Sequence, residues 1–351
     1  MRSLGPEPAV TALYVTNDAV DLPGVARASA AFGIEARVVE DLKDVPLEDR
    51  NGSTVVVTTS RGRVLTPCPG TKGHRCCRYQ TIDLYLGCTI GCTYCIMQSY
   101  LNYSPITVYA DTGPARESID ALGKTGRLYR IGTGEVGDSL LLDDVFRLSE
   151  ELVEAAAPYP NLRLELKTKT ARVDHLLGIN DKGGAVLGFS LAPESRVAAE
   201  EPYAASIAER LAAAERGAGA GFGVAYHFDP MITTPESDGA WVADYQQLVD
   251  RLPDVEPAWI SMGTIRFPPG FRRRVSPRPY LFDEFVPATD GKLRYVQRRR
   301  IEVYKTVLAM LRERFSAPVY LCMESEAVWR RVFGAVPGEL QELRGIFSTK
   351  P

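Results

Sequence analysis

Cys88, Cys92 and Cys95 stand at C-x3-C-x2-C spacing within Gly87-Cys88-Thr89-Ile90-Gly91-Cys92-Thr93-Tyr94-Cys95-Ile96-Met97-Gln98. Three thiolates hold three irons of a [4Fe–4S] cube and leave the fourth iron open to a further ligand. An iron with an open position can bind S-adenosylmethionine (SAM) and cleave it reductively to a 5′-deoxyadenosyl radical. The spacing therefore speaks to reactivity as well as to metal content. Zinc sites also use close cysteines, but as paired C-x2-C halves whose four ligands close a tetrahedron. The local run here supplies three. Tyr94, between the second and third cysteines, offers an aromatic face that could pack near the cofactor adenine.

These residues need elements to hold them. Thr81-Ile82-Asp83-Leu84-Tyr85-Leu86 is β-branched and aromatic and ends at a glycine just before Cys88, the pattern of a strand. A loop at the C-terminal end of a first barrel strand is where barrel enzymes place their chemistry. Further strands are expected near 128–132, 162–168, 185–191, 221–227 and 257–262. Helices are expected near 114–124, 143–156, 205–218, 240–251 and 297–314. Alternating β and α units imply a parallel sheet with helices outside. Six such units make an α/β fold, a partial (β/α)6 TIM-like barrel spanning 66–262. Residues 1–65 read as a small α/β lead-in: strands at Val10–Val15 and Ser53–Thr59 flank an Ala-rich helix near 23–32. Residues 263–351 read as a C-terminal extension with a last strand at Pro318–Leu321 and a helix at Ser325–Phe333.

Composition narrows the class. Net charge is −3 over 351 residues, and no apolar run approaches a membrane span. The start, Met1-Arg2-Ser3-Leu4-Gly5-Pro6, has no signal-peptide core. Seven cysteines, an odd number concentrated between 68 and 95, do not form the pattern of a secreted disulfide framework. A cytoplasmic protein without a membrane partner fits, because cluster-binding thiols must stay reduced.

The cysteine triplet is the radical-SAM signature, and the surrounding motifs narrow the resemblance. Cys68-Pro69-Gly70-Thr71, Cys76-Cys77-Arg78-Tyr79-Gln80, Arg130 to Glu135, Asp138-Ser139-Leu140, His227-Phe228-Asp229-Pro230, Gly263 to Pro269 and Pro318 to Glu324 together resemble the spore photoproduct lyase family. The resemblance runs from about residue 66 to 334. It implies a [4Fe–4S] cluster and SAM as cofactors, and an electron donor such as flavodoxin or ferredoxin. The founding activity of the family reverses a thymine–thymine photoproduct in DNA, with a cysteine thiol returning a hydrogen atom. The resemblance also implies that Lys169 pairs with the SAM carboxylate, a charge-assisted contact, and that Ser190 hydrogen-bonds the cofactor. Three positions depart. Glu135 stands where the repair enzymes carry the donor cysteine, and Gly137 where they carry a further serine. The position after the third cysteine, aromatic in those enzymes, is Ile96. Following Gly-Thr-Gly at a strand end, Glu135 is expected to meet the SAM ammonium.

Other signals divide between function and packing. Cys68, Cys76 and Cys77 could ligate an auxiliary cluster with Cys322, although adjacent cysteines rarely share one metal. Cys76 or Cys77 could supply the hydrogen that Glu135 cannot, or all could be small buried hydrophobes. His227, at a strand end, is a candidate substrate contact or a satisfied structural histidine; His175 reads as local packing. Gly217 to Gly223 follows a helix and leads into a strand, so it reads as a helix cap and turn rather than a nucleotide loop. From Arg266 to Arg300 ten Arg and Lys face three acids. Such a strip, with Arg266 a substrate contact, suits a phosphate-bearing partner, though Arg298 to Arg300 could simply be a solvated helix face.

The reading that follows is a radical-SAM enzyme, a lyase or a carbon–carbon bond-forming catalyst. It would take hydrogen from a nucleotide- or nucleoside-type substrate, for example in nucleoside natural-product assembly. The alternatives are photoproduct repair in DNA with a non-standard hydrogen donor, and a non-catalytic iron–sulfur or nucleic-acid-binding protein. The last has no need of Lys169 and Ser190.

Overall fold

The computed structural model describes residues 9–71, 73–233 and 239–347. The opening segment read above for a signal-peptide core lies outside them. Along the chain run β1 (Ala12–Thr16), α1 (Pro23–Phe32), β2 (Arg37–Val39), β3 (Thr54–Thr58), β4 (Leu65–Pro67), β5 (Gln80–Ile82), β6 (Tyr85–Leu86) and β7 (Ile106–Tyr109). Next come α2 (Gly113–Lys124), β8 (Tyr129–Thr133), α3 (Asp143–Phe146), α4 (Leu148–Ala156), β9 (Leu162–Thr168), α5 (Asp174–Leu177), β10 (Val186–Ser190), α6 (Glu194–Glu200) and α7 (Ile207–Gly219). The remainder is β11 (Gly223–Met231), α8 (Ala240–Asp250), β12 (Trp259–Thr264), β13 (Arg266–Phe267), β14 (Phe285–Pro287), β15 (Leu293–Tyr295), α9 (Gln297–Arg314), β16 (Val319–Leu321) and α10 (Glu326–Phe333).

Three sheets result. The largest has the order β16-β12-β11-β10-β9-β8-β5-β4, parallel except for the β4–β5 pair. Its two ends are not bonded to each other, so the barrel is partial, as expected. β10 and β12 are buried along their whole length, the mark of strands covered on both faces. The sheet does not stop at residue 262: β16 pairs with β12, and α9 packs Val303, Tyr304, Val307, Met310 and Leu311 inward at helical spacing. A second sheet, β2-β1-β3-β7-β6, builds the lead-in but draws β6 and β7 from beyond residue 65. A small antiparallel sheet, β13-β15-β14, fills the Pro- and Arg-rich stretch.

Two element expectations are corrected. Thr81 to Leu86 is not one strand: the chain leaves the barrel after Ile82, and Tyr85–Leu86 pairs instead with β7 in the lead-in sheet. The helix expected over 143–156 is broken at Arg147, which takes φ 60°. Asp143 explains the break, because its carboxylate accepts from the Ser149 amide (3.0 Å), Tyr85 Oη (2.7 Å) and His175 Nε2 (2.8 Å). His175 is thereby the packing residue it was read to be. Among the described residues, no helix is long and apolar enough to cross a membrane.

Candidate active site

The chemistry-bearing residues gather at the C-terminal ends of the barrel strands, as in parallel α/β sheets generally. The cysteine loop is anchored from outside its own sequence. The Thr93 amide donates to the Glu200 carbonyl (2.9 Å) and the Tyr203 amide to the Ile90 carbonyl (3.2 Å), while within the loop Gln98 Nε2 donates to the Cys92 carbonyl (3.0 Å). Cys88, Cys92 and Cys95 border a cavity of about 550 Å³, and Tyr94, Lys169 and Ser190 line it with them. None of the three cysteines is in a disulfide. Burial pushes the thiols of Cys92, to about 12, and of Cys95 upward. The fold alone therefore does not favour thiolates there; a bound cation would. Among the described residues, no three His, Cys, Asp or Glu side chains converge on a single ion. A cube makes a different demand, one thiolate to each of three irons, and the triplet fits it.

A network missed in the sequence holds this wall. Glu201, fully buried, accepts from Tyr94 Oη and Arg210 Nη2 and pairs with Lys169 Nζ at 3.3 Å. Burial opposes ionisation of Glu201, but Lys169 and Arg210 outweigh it and hold its carboxyl at about 2. Lys169 Nζ lies 5.5 Å from the Tyr94 ring centroid. Tyr94 is thus buried and anchored through its hydroxyl, with part of its surface left to the cavity. The available signal was Arg210, a charged residue on the buried face of α7 between Ile207 and Ala214. A guanidinium in such a row requires a buried acid.

The loop after β8 divides this cavity from a second, smaller one. Gly134 takes φ +82°, and Asp138 locks the loop to the end of β9 by accepting from the Leu140 amide (3.0 Å), Thr168 Oγ1 (2.7 Å) and the Lys169 amide (2.7 Å). Gly137 packs so closely that a Cβ would stand 2.6 Å from the Tyr85 carbonyl oxygen. On the far side of this loop is a chamber of about 130 Å³. Ser190, His227, Ser261 and Tyr320 stand in register across β10, β11, β12 and β16 and line one wall. Cys68, Cys76, Cys77 and Cys322 approach from the other elements. Lys167, Ser190 and Asp229 border both chambers.

Glu135 faces the small chamber. Its carboxylate pairs with Lys167 Nζ at 2.9 Å and accepts from the Cys68 thiol at 3.8 Å. Lys167 holds the Glu135 carboxyl below its usual range against the effect of burial. The carboxylate is paired with Lys167 and lies outside the lining of the cysteine-bordered cavity, which Lys167 itself borders. Arg266 is likewise committed, with both terminal nitrogens on Asp229 (3.0 and 3.1 Å) and a contact to Cys322 Sγ at 3.7 Å. The basic strip is largely internal charge pairing: Arg278 meets Glu200, Arg294 and Lys292 meet Asp290, Arg299 meets Asp283 and Arg300 meets Glu324. Arg273, Arg274 and Arg298 remain exposed.

His227 is both satisfied and chamber-lining. Nδ1 meets Ser261 Oγ and Nε2 meets Glu165 Oε1, each at 2.6 Å. Glu165 also accepts from Tyr79 Oη and Trp259 Nε1 (3.1 Å), with Arg130 Nη2 at 3.9 Å. Sequence reasoning did not find Glu165. Its only signal was a lone acid in the strand Leu162–Thr168 between Leu164 and Leu166.

Comparison with known proteins decides the family. A family model described as spore photoproduct lyase matches residues 73–267, more than half of the chain. The chain belongs to the spore photoproduct lyase family. A spore photoproduct lyase of Geobacillus sp. (strain Y412MC61) is 27% identical over 180 residues, covering 50% of this chain and 52% of that protein. The chain thus spans about half the length of that curated relative. Solved structures share the fold. A spore photoproduct lyase complexed with dinucleoside spore photoproduct superposes with a TM-score of 0.75 at 20% identity, over 91% of this chain and 99% of the other. A double mutant with bound AdoMet and the same dinucleoside gives 0.74 at 20% identity, over the same shares. At Gly137 the backbone of Tyr85 occupies the space a side chain would need.

Proposed function

We propose that this chain is a radical-SAM lyase that opens a bridged thymine–thymine lesion, with a thiol from the small chamber as hydrogen donor. The observation that carries the reading is the shared wall of Lys167, Ser190 and Asp229 between the cysteine-bordered cavity and the thiol-lined chamber. Ligands on the two sides of that wall would have only these side chains between them. Relatives described with bound AdoMet and dinucleoside spore photoproduct support the same pairing. Relative to the reading from the residues alone, this ranks lesion repair above nucleoside natural-product assembly.

Cys88, Cys92 and Cys95 would hold three irons, and Lys169, Ser190 and Tyr94 would bind SAM beside them. When bound, these groups supply a one-electron cleavage to an adenosyl radical able to take hydrogen from carbon. The remaining work falls to the chain. The buried walls of the cavity exclude water that would compete for contacts to the ligands. Lys167, neutralised by Glu135, presents no net charge to a thymine ring. Cys68, Cys76 and Cys77 line the same chamber, where their neighbouring side chains lower the Cys68 and Cys77 values and raise that of Cys76. Cys76, held as a thiol, carries the S–H hydrogen that the opened lesion requires; a carboxylate at 135 has none to give. In that transfer the S–H bond breaks, a C–H bond forms on the opened thymine radical, and the unpaired electron passes to the Cys76 sulfur.

The test is anaerobic turnover in D2O with the dinucleoside photoproduct. Exchanged thiols should place one deuterium in the repaired thymine, and Cys76→Ala should uncouple deoxyadenosine formation from repair. Full repair without solvent deuterium in Cys68→Ala, Cys76→Ala and Cys77→Ala alike would sink the thiol assignment. The Glu135–Lys167 pair favours a second reading, a different nucleoside substrate. It prevails if deoxyadenosine forms with uridine or thymidine nucleotides and never with the photoproduct.

A further inference from the structure

We propose that the lead-in sheet carries a second binding site, for a phosphate-bearing nucleotide, at the carboxyl ends of β1 and β3. The topology points there first. From β1 the chain crosses to β2 on one side, then to β3 on the other, so the strand order reverses between β1 and β3. In open parallel α/β sheets the crevice outside the strand ends at such a reversal is where ligands bind. A cavity of about 520 Å³ opens at that place, comparable with the large chamber and within the range of small-molecule sites.

Its lining is polar in a graded way. Thr16 ends β1 and Thr58 ends β3, and their hydroxyls are 2.9 Å apart. At the floor, Asp83 Oδ1 is buried and has no hydrogen-bond partner among the described residues. A buried acceptor without a donor costs about 1–3 kcal/mol, so it is a place where a ligand N–H or O–H is favoured. At the rim, Arg61 Nη1 pairs with Asp41 at 3.0 Å, and Arg63 stands exposed. A ligand that offers donors at one end and an anion at the other fits this gradient. A nucleotide does so, with base or sugar donors on Asp83 and phosphate on Arg63 and Arg61. Asp83 is the residue at which the expected first strand breaks between β5 and β6, so the same break that leaves the barrel builds the floor. Val136 borders both this cavity and the cysteine-bordered one, so an occupant would brace the loop between them.

The same chemistry could come from a free nucleotide or from one unit of a nucleic-acid strand, and the assay separates them. Thymidine 5′-monophosphate, thymidine, inorganic phosphate and a short single-stranded oligonucleotide are titrated into the full chain prepared anaerobically. Arg63→Gln, an exposed change that leaves the fold intact, should weaken the monophosphate or the oligonucleotide about tenfold and leave thymidine unchanged. Asp83→Asn should weaken thymidine itself. An azido-nucleotide should label the peptide containing residues 58–66. Binding of the monophosphate assigns a free nucleotide, and binding of the oligonucleotide alone assigns a strand. Equal affinities in Arg63→Gln and the parent, or label confined to residues 88–98, would overturn the site. Neither result depends on radical chemistry, so failure here and failure of the proposed lyase activity are read separately.

Discussion

Glu165 offers the sharpest test of how the small chamber is built. The side chain is 1% exposed, and four groups converge on it: Tyr79, His227, Trp259 and Arg130. Apart from Glu165, Arg130 donates from Nη2 to Tyr320 Oη (3.1 Å), and its Nε and Nη1 have no partner among the described residues. It sits instead between aromatic faces, 4.1 Å from the Trp259 centroid and 5.1 Å from that of Tyr79. Glu165→Gln keeps an oxygen for His227 and Trp259 but removes the charge facing Arg130. Breaking a buried pair costs about 3–5 kcal/mol, with the uncompensated charge as the main part. The expected loss for Glu165→Gln is about 2–3 kcal/mol, because a neutral acceptor remains. Glu165→Ala, which orphans all four partners, should lose about 4–5 kcal/mol. Urea unfolding at pH 7 measures both. Adding Arg130→Met to Glu165→Gln should recover at least about 1 kcal/mol, since the stranded cation is gone. The pH dependence has a definite sign. Burial opposes ionisation of Glu165, but His227 and Arg130 prevail and hold its carboxyl well below 4.5. Its contribution is therefore full above the unfolded value and is lost as pH falls toward the folded one. The gap between parent and Glu165→Gln should narrow on acidification below about pH 4.5. A Gln variant within about 0.5 kcal/mol of the parent at pH 7, or a gap that does not change with pH, would refute the reasoning.

Four further outcomes are expected. Cys88→Ala, Cys92→Ala and Cys95→Ala should each lose bound iron after anaerobic reconstitution, whereas Cys68→Ala and Cys322→Ala should retain it; iron and sulfide analysis distinguishes these. Gly137→Ser should destabilise by about 1–3 kcal/mol in denaturant titration. A side chain there meets the Tyr85 carbonyl, and an equally stable Ser variant would contradict that. Lys169→Met should weaken SAM binding at least about tenfold in equilibrium dialysis, the worth of one charge-assisted contact. Burial and then Glu135 raise Asp83 to about 6 from 3.8. The folded state therefore holds the extra proton, and parent stability should fall with rising pH between those values relative to Asp83→Asn, by about 3 kcal/mol in all. Parallel stability curves for the two proteins would show that Asp83 is not desolvated.

The division between what was legible and what was not follows the reach of each interaction along the chain. Cys88, Cys92 and Cys95 lie within eight positions, so a single loop unites them and their chemistry could be read directly. β-Branched and periodic segments likewise announced β9, β10, α2 and α9 within a residue or two of their bounds. Local pattern failed where a distant partner overrode it. Thr81 to Leu86 looks like one strand, but β7 captures its second half. The helix over 143–156 breaks because Asp143 serves Tyr85 and His175 as well as Ser149. The functional consequence was greatest at Glu135. By itself the sequence determined the cysteine triplet and the alternation that builds a partial barrel. Only the tertiary structure decided that Glu135 turns to Lys167, that Cys68 and Cys322 line one chamber with Cys76 and Cys77, and that Glu165 gathers four partners. Those contacts depend on the register of strands far apart in the chain. Register is set by the summed packing of whole sheet faces, which no local window of residues contains.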